Sequence, residues 1–244
     1  MLSPGFEGRD DAVLPFAVEA LDVRGRVVRL GSALDTLVSR HGYPDAVARV
    51  IGEAAALTAL LGSSLKFEGR FQLQTKSDGP IDLLVVDYDA PDRLRAYARF
   101  DAERVAAVSG SGPVGSGELL GHGHLALTID QGTDMSRYQG VVALEGQSLE
   151  EVAHQYLRQS EQIPTRLRLA VAEQFGGGAH GYRAGGLMIQ FLPTSPDRVR
   201  QGDLDPGDAP EGHSMGEVDE DDAWVEARTL VDTVEDHELI DPAV

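Results

Sequence analysis

The order of apolar and polar residues changes its period along the chain and predicts both helices and strands. From Pro44 to about Leu61 apolar residues recur at helical spacing, and the proline suits the first turn of a helix. Many of these residues are alanines, which permit close packing, so this segment is predicted as the central core helix. A shorter helix is predicted from Ser32 to Gly42. The core-helix positions are Val47, Val50, Ile51, Ala54, Leu57, Thr58 and Leu61.

From Phe67 onward the apolar period is mostly two, which is typical of β-strands. The continuous apolar run that begins at Ile81 indicates a strand covered on both sides. Residues 14–30 alternate in two runs around Arg24-Gly25, which predicts a β-hairpin with its loop there. Ser148 and Glu151 form a capping box that opens one more amphipathic helix. Further strands are predicted at about 94–100, 118–130, 137–144, 165–174 and 182–192.

Strand pairs interrupted by few helices predict an α+β fold rather than a doubly wound parallel sheet. We expect layered, mainly antiparallel twisted sheets with packed helices, followed by an α-helical acidic linker region. The core domain is predicted to span residues 1–193, and the linker residues 194–244. Residues 194–220 are rich in Asp, Gly, Pro and Ser, which is typical of a solvated segment.

An amphipathic helix is predicted at about 221–235. A lone helix of this length is marginal in water, so we expect it to dock on the core domain through its apolar stripe. Trp224, the only tryptophan, lies beside that stripe. The residues predicted to dock are Ala223, Trp224, Ala227, Leu230, Val231 and Val234.

The negative charge is concentrated in the linker. The chain carries a formal net charge of −19, and residues 203–244 hold fifteen acids against one base, Arg228. The body has no compensating basic stripe, so we expect no nucleic-acid partner. No apolar run approaches the roughly eighteen residues that span a bilayer, and the first residues lack the pattern of a secretory signal, so no membrane partner is predicted.

Two short motifs are of kinds found in enzymes, and their context argues against both. Ser63 and Lys66 form an S-x-x-K string, the nucleophile motif of penicillin-binding enzymes, but its partner motifs S-D-N and K-T-G are absent from the chain. Gly110, Gly112 and Gly115 satisfy G-x-G-x-x-G, but a proline interrupts the string and a β-like segment at 118–129 follows it. We interpret the first as a helix end and the second as a loop.

No metal or buried acid site is predicted. His122 and His124 share one strand face, and Glu151 with His154 gives one E-x-x-H on a helix, but neither pair has further ligands at fixed spacing. We interpret these histidines as surface residues. Glu53 lies in the apolar core helix without a well-placed basic partner, and we place it on the solvated helix edge.

Several strings, taken in order, resemble the 33 kDa chaperonin family, the redox-regulated heat-shock holdases of bacteria. The resemblance covers about residues 14–193 and 222–242. Each string is modest alone, and the ordered set carries the likeness. The strings are Asp22–Gly31, Tyr43-Pro44, Leu61–Gly69, Leu73–Thr75, Asp78–Pro80, Arg95–Ala98, Tyr182–Gln190 and Val234–Pro242.

The resemblance implies a three-layer α+β core, a metastable helical linker and a C-terminal module whose two cysteine pairs hold one zinc ion. Oxidation in that family releases zinc and exposes a surface that captures unfolding proteins. This chain contains no cysteine, so neither the zinc site nor the thiol switch is expected in it. Ile240-Asp241-Pro242 has the character of an interrupted segment, which favours a truncated chain over a natural variant.

The resemblance therefore predicts a cytoplasmic, ATP-independent holdase that is not an enzyme and binds unfolded or partly folded proteins, with a possible homodimer. Two alternatives stay open at this point. One is a hydrolase that uses Ser63 and Lys66, and the other is an assembly protein with one fixed partner. A holdase differs from both because it suppresses aggregation of unrelated proteins without turnover.

Overall fold

The computed structural model of the chain describes residues 10–64, 69–110, 112, 114–130, 137–160, 163–176, 179–192 and 221–241. These residues form nine β-strands and seven α-helices. The strands are β1 (Ala12–Val18), β2 (Val23–Leu30), β3 (Arg70–Ser77), β4 (Ile81–Asp89), β5 (Arg93–Phe100), β6 (His122–Asp130), β7 (Tyr138–Glu145), β8 (Thr165–Gly176) and β9 (Ala179–Phe191). The helices are α1 (Ser32–Ser39), α2 (Asp45–Ser64), α3 (Ala102–Ser109), α4 (Ser116–Leu120), α5 (Leu149–Ser160), α6 (Asp222–Asp232) and α7 (Asp236–Ile240).

The strands form two antiparallel sheets. The four-stranded sheet has the order β1-β2-β9-β8, and the five-stranded sheet has the order β5-β4-β3-β6-β7. Every strand pairing in both sheets is antiparallel. These sheets and the helices packed on them confirm the α+β fold predicted from the sequence.

Helix α2 lies between the two sheets and contacts strands of both. Alanine at many of its positions lets both sheets approach closely, and Ile51, Leu57 and Leu60 fill the space between them with at most 1% exposure. This 20-residue helix is long and apolar enough to cross a membrane by length and composition, yet 78% of its most apolar window is buried within the protein. It is therefore the central core helix.

The first hairpin turns at a different place from the one predicted. Val18 pairs with Val23, and the connection is a 3-10 turn at Glu19–Leu21. Gly25 lies inside β2, where it pairs with Phe16. A Cβ atom at Gly25 would lie 2.2 Å from Cζ of Phe16, so this glycine is needed for the aromatic ring that crosses it and not for a turn.

A second difference concerns residues 116–120, the last three of which were predicted to begin a strand. They form the short helix α4, whose N-cap backbone N–H at Gly115 donates to Glu118 Oε2 over 3.3 Å. The strand β6 then begins at His122. The glycine string 110–115 thus follows helix α3, whereas a dinucleotide fingerprint follows a strand. Ser111 and Pro113 of that string lie outside the described residues.

Candidate functional site

The outer face of the four-stranded sheet, the face turned away from α2, is apolar. Residues of β9 alternate, so Met188 and Ala184 pack in the main core, whereas Leu187, Ile189 and Phe191 point to the other side. Val23 of β2 and Ala170 of β8 complete this second cluster. We call the five residues Val23, Ala170, Leu187, Ile189 and Phe191 the outer apolar face.

Helices α6 and α7 cover the outer apolar face. Trp224, Ala227 and Val231 of α6 and Leu239 of α7 are between 3% and 7% exposed and belong to the same cluster. Ala223 and Val234 are partly buried against it. A helix of 11 residues gains most of its stability from such packing, so the cover and the face depend on each other.

Leu230 does not belong to this contact. The sequence pattern placed it on the docking stripe, but the side chain is 55% exposed. The reason is angular: Leu230 follows Trp224 by six residues, which sets the two side chains roughly 120° apart around the helix axis. Because the Trp224 side chain points into the contact, the buried side of α6 is centred near Trp224, and Leu230 remains in solvent.

Helix α7 approaches the sheet at a glycine. A Cβ atom at Gly185 would lie 2.2 Å from the carbonyl oxygen of Leu239, a separation that side-chain motion does not relieve because the obstacle is backbone. The missing side chain therefore sets the depth at which α7 lies on β9. Sequence reasoning did not identify this contact, although Gly185-Gly186 inside a predicted strand was a signal of close approach.

Three arginines of the sheet bind main-chain carbonyls at the ends of the two linker helices. Arg29 Nη2 donates to the carbonyl of Glu238 over 3.0 Å, and Arg183 Nε donates to that of Ile240 over 2.8 Å. Arg168 Nη1 donates to the carbonyl of Asp232, the last residue of α6, over 3.3 Å. Helix C-termini leave carbonyls unsatisfied and carry partial negative charge, so cations there are favourable.

Two ion pairs add a rim to this contact. Arg166 Nε lies 2.6 Å from Asp232 Oδ1, and Arg168 Nη2 lies 3.1 Å from Asp236 Oδ1. The Asp232 and Asp236 side chains are 46% and 71% exposed, so each pair is worth less than about 1 kcal/mol. The arginines of β8 thus position the linker helices, whereas the apolar cluster supplies most of the docking free energy.

Helix α5 closes the free edge of β8 with two titratable side chains. His154 Nε2 accepts the N–H of Leu167 over 3.0 Å, and Glu150 Oε2 accepts the N–H of Leu169 over 2.9 Å. Burial, together with the charges of Arg166 and Arg158, lowers the pKa of His154 to about 4. Burial raises the pKa of Glu150. The imidazole is therefore neutral near pH 7, as an acceptor must be.

The other candidates from the sequence do not form a reactive site. Ser63 donates its hydroxyl to the carbonyl of Leu60 over 3.1 Å, and Lys66 lies outside the described residues. His122 and His124 share an exposed face of β6, as predicted, whereas His154, which was also interpreted as a surface residue, is partly buried. Among the residues that the structure describes, no group of three His, Asp or Glu side chains is placed to hold a metal ion.

Glu53 is a further correction. It was placed on the solvated edge of the core helix, but it is largely buried and bonds the hydroxyl of Ser116, and burial raises its pKa. The same hydroxyl accepts the N–H of Leu149 over 3.1 Å. This partner could not be recognised from the sequence, because the short helix that carries Ser116 was not predicted and its last residues were assigned to a strand.

The zinc module implied by the resemblance does not fit the residues present. Its ligands are cysteine thiolates, and this chain has no cysteine. Zinc therefore has no part in the function proposed for these residues.

Comparison with known proteins agrees with this architecture. The Hsp33 protein family model matches residues 11–241. A 33 kDa chaperonin of Caulobacter vibrioides is 49% identical over 236 residues, which are 96% of this chain and 72% of the relative. A 33 kDa chaperonin of Pseudomonas aeruginosa is 36% identical over 225 residues, 92% of this chain and 65% of the relative.

A solved structure shares the fold. The crystal structure of the 33 kDa chaperonin (heat shock protein 33 homolog) of Thermotoga maritima matches with a TM-score of 0.61 at 20% identity, over 78% of this chain and 64% of that one. The fold and the relatives define the class of protein, which is a chaperone. The chain belongs to the Hsp33 family, and the family resemblance predicted from its ordered strings is confirmed.

Proposed function

We propose that this protein is an ATP-independent holdase that captures unfolding proteins on the outer apolar face, and that α6 and α7 cover this face in the quiet state. The observation that carries the proposal is the cluster itself. A sheet face of Val23, Ala170, Leu187, Ile189 and Phe191 is closed by helices from the linker rather than by the core domain.

The chemistry of the face suits non-specific capture. Exposed contiguous apolar surface marks a binding site, and its residues are aliphatic and aromatic, without the placed polar groups that select one ligand. Unfolded proteins offer apolar segments of many sequences. A surface whose affinity comes from burial of apolar area binds such segments whatever their amino-acid sequence.

Helices α6 and α7 can detach from the outer apolar face while the rest of the protein stays folded. Helix α6 spans 11 residues and α7 only 5, so neither is stable without the contacts to the sheet. Elements with few buried side chains open locally at low free-energy cost while the rest of a protein stays folded. The fraction of molecules with an open face sets the apparent affinity for clients.

Two observations support action without nucleotide or turnover. The glycine string 110–115 joins helix α3 to helix α4, so it lacks the strand that precedes a phosphate-binding loop. The hydroxyl of Ser63, the candidate nucleophile, is bonded to the Leu60 carbonyl. We place the protein in the cytoplasm on the strength of the family and propose unfolded proteins as its partners.

A matched pair of substitutions tests the proposal. Val231 and Leu230 are adjacent in α6, but their side chains are 5% and 55% exposed. Val231→Asp places a charge in the apolar contact and releases the helix, whereas Leu230→Asp adds the same charge to solvent. Suppression of aggregation is measured with two unrelated chemically unfolded proteins, without ATP.

We expect Val231→Asp to suppress aggregation at a lower ratio of chaperone to client than the wild type, and Leu230→Asp to match the wild type. Hydrogen exchange across residues 222–240 verifies that only the first variant releases the linker. If the linker is released and suppression does not improve, the outer apolar face is not the client site.

A further inference from the structure

The two sheets have four edge strands. Side chains bond the backbone of two of them, β8 and β5, and a third, β1, contains a proline. On β8, His154 and Glu150 accept the N–H groups of Leu167 and Leu169. On β5, the hydroxyl of Tyr43 accepts the N–H of Ala98 over 3.0 Å. Such devices prevent an edge from pairing with another chain. The further protective residues are Arg93, Arg95 and Arg99 along β5 and Pro15 within β1.

The fourth edge, β7, lacks these devices along most of its length, from Tyr138 to Val142. Residues 138–144 contain no charged residue and no proline, and the strand keeps a regular register with β6 over eight residue pairs. Val141 is 56% exposed and Tyr138 is 51% exposed. A long, flat, apolar edge strand is a template for pairing with a further strand.

The direction of the backbone groups follows from the hydrogen bonds at the end of β7. Gly146 N donates to Gly121 O over 3.2 Å, so even-numbered residues of this strand bond β6. The odd-numbered residues Gln139, Val141 and Ala143 therefore turn their N–H and C=O groups away from the sheet. Their side chains lie on the face opposite to α2, where Ala126 and Val141 are paired.

One side chain already occupies part of this edge in the manner of a peptide group. The carboxamide of Gln147 donates from Nε2 to the Ala143 carbonyl over 3.3 Å and accepts the N–H of Glu145 on Oε1 over 2.5 Å. One amide thus satisfies an outward acceptor and an outward donor, as a peptide unit of a neighbouring strand does. Among the described residues, no comparable bond covers the outward groups of Gln139 and Val141.

We propose that β7 is a second client site, which binds an extended, uncharged segment of an unfolded protein by strand addition. The proposal rests on the proposed holdase function and extends it with a site whose affinity comes from main-chain hydrogen bonds. Because every peptide presents the same backbone, this site accepts many sequences. None of the described residues covers its central part while α6 and α7 cover the other sheet, so it provides first contact with a client.

A second copy of this chain is the less suitable occupant. Two β7 strands paired through Gln139–Ala143 bring together about five residues each. The area buried by so short a contact is far smaller than the roughly 1,200 Å² that a stable interface buries. A weak, short, sequence-tolerant contact suits the transient capture of clients. It does not suit a permanent dimer.

The test uses the whole chain and a fluorescein-labelled peptide of eight alternating threonine and valine residues. Its twin carries N-methyl groups on alternate residues, which removes backbone donors and leaves the side chains. Binding is followed by fluorescence anisotropy. We expect the wild type to bind the first peptide and to bind the N-methylated twin at least about tenfold more weakly, the loss of one or two net hydrogen bonds.

Val141→Pro removes an outward N–H and leaves the β6 ladder intact, so we expect the same loss of about tenfold in peptide affinity. Val141→Lys serves if the proline variant does not fold, since a lysine on an edge strand disfavours pairing. Tyr97→Lys is the matched control, because Tyr97 is 47% exposed on the edge strand β5 of the same sheet. It should change the affinity less than twofold.

The proposal is overturned if the wild type does not bind the peptide, if both peptides bind equally, or if both lysine variants act alike. It is also overturned if Val141→Pro changes the dimer fraction in sedimentation and leaves peptide affinity unchanged, since β7 is then a self-interface. Aggregation suppression by the wild type is measured in parallel. If the wild type does not suppress aggregation, the holdase function is contradicted, whereas the result for peptide binding at β7 remains valid.

Discussion

The indole of Trp224 lies against the phenyl ring of Phe191, with ring centroids 5.9 Å apart and ring planes inclined by 34°. Phe191 is the last residue of β9, and Trp224 is in the first turn of α6. Both rings are at most 7% exposed. This contact joins the start of the linker helix to the end of the sheet, and it involves the only tryptophan of the chain.

Trp224→Ala should detach α6. Removal of a buried tryptophan costs about 3 kcal/mol, which is large for a helix that is marginal by itself. We expect hydrogen exchange across residues 222–240 to become fast, while exchange in β3 keeps its wild-type rate. In the wild type, emission from Trp224 should be blue-shifted and should move to the red at lower denaturant than the loss of core helix signal. Exposed emission in plain buffer contradicts docking.

Gly185→Ala should displace α7. The added methyl group meets the Leu239 carbonyl oxygen at 2.2 Å, so the helix must leave its position on β9. Gly115→Ala is the control, because a Cβ there has open space. We expect binding of a hydrophobic dye to rise in the first variant and to stay at the wild-type level in the second. Equal dye binding in both variants counts against the close approach.

The two arginines of β8 should differ in their effect on docking. Arg168 is 23% exposed and bonds both a side chain and the Asp232 carbonyl, so Arg168→Ala should weaken docking by about 1 kcal/mol. Arg166 holds only the half-exposed Asp232 carboxylate, so Arg166→Ala should cost about 0.5 kcal/mol or less. Hydrogen exchange of α6 at low and high salt measures both, and only the smaller effect should vanish in salt. The reverse order refutes this assignment.

Acid should destabilise the contact between α5 and β8 through His154. The unfolded imidazole has a pKa near 6.5 and the folded one a pKa of about 4, so the unfolded state binds more protons between these values. Stability contributed by the neutral imidazole is present above pH 6.5 and is lost as the pH falls towards 4. The raised pKa values of Glu150 and Glu53 act in the opposite direction, because their folded forms hold protons more tightly.

Comparison with His154→Gln isolates the histidine. Glutamine still offers an acceptor to the Leu167 N–H but does not titrate. The wild type should lose stability relative to this variant as the pH falls from 6.5 to 4, measured by urea unfolding across that range. Parallel pH profiles for the two proteins remove His154 from the explanation.

The sequence predicts those elements whose burial repeats along the chain. Helix α2 is covered on two sides, so its apolar residues appear in a run that needs no knowledge of the partner. Strand β4 was also expected to be covered on both sides, but Leu84 and Val86 are buried in the core whereas Leu83 and Val85 are only partly buried. The first hairpin was misplaced because Arg24-Gly25 has the composition of a turn, whereas Gly25 serves the ring of Phe16. Local composition does not distinguish these two uses of glycine.

Only those residues of the candidate site that recur at helical spacing were predicted from the sequence. Trp224, Ala227 and Val231 follow helical spacing and are buried, whereas Leu230 fits the same spacing at its margin and is exposed. The arginine contacts were not predicted, because Arg29 and Glu238 are 209 residues apart and one partner is a carbonyl group, which every residue has. The edge of β7 also became recognisable only when the sheet order was known.

The carbonyl contacts of Arg29, Arg168 and Arg183 have a consequence for how the cover comes off. Their acceptors on Glu238, Asp232 and Ile240 are main-chain atoms placed by the ends of α6 and α7. Substitutions on the solvent side of the linker leave these bonds in place, but unwinding of the last turns moves all three acceptors at once. These three hydrogen bonds therefore depend on whether the linker is helical and not on which side chains face solvent, so unwinding breaks them together.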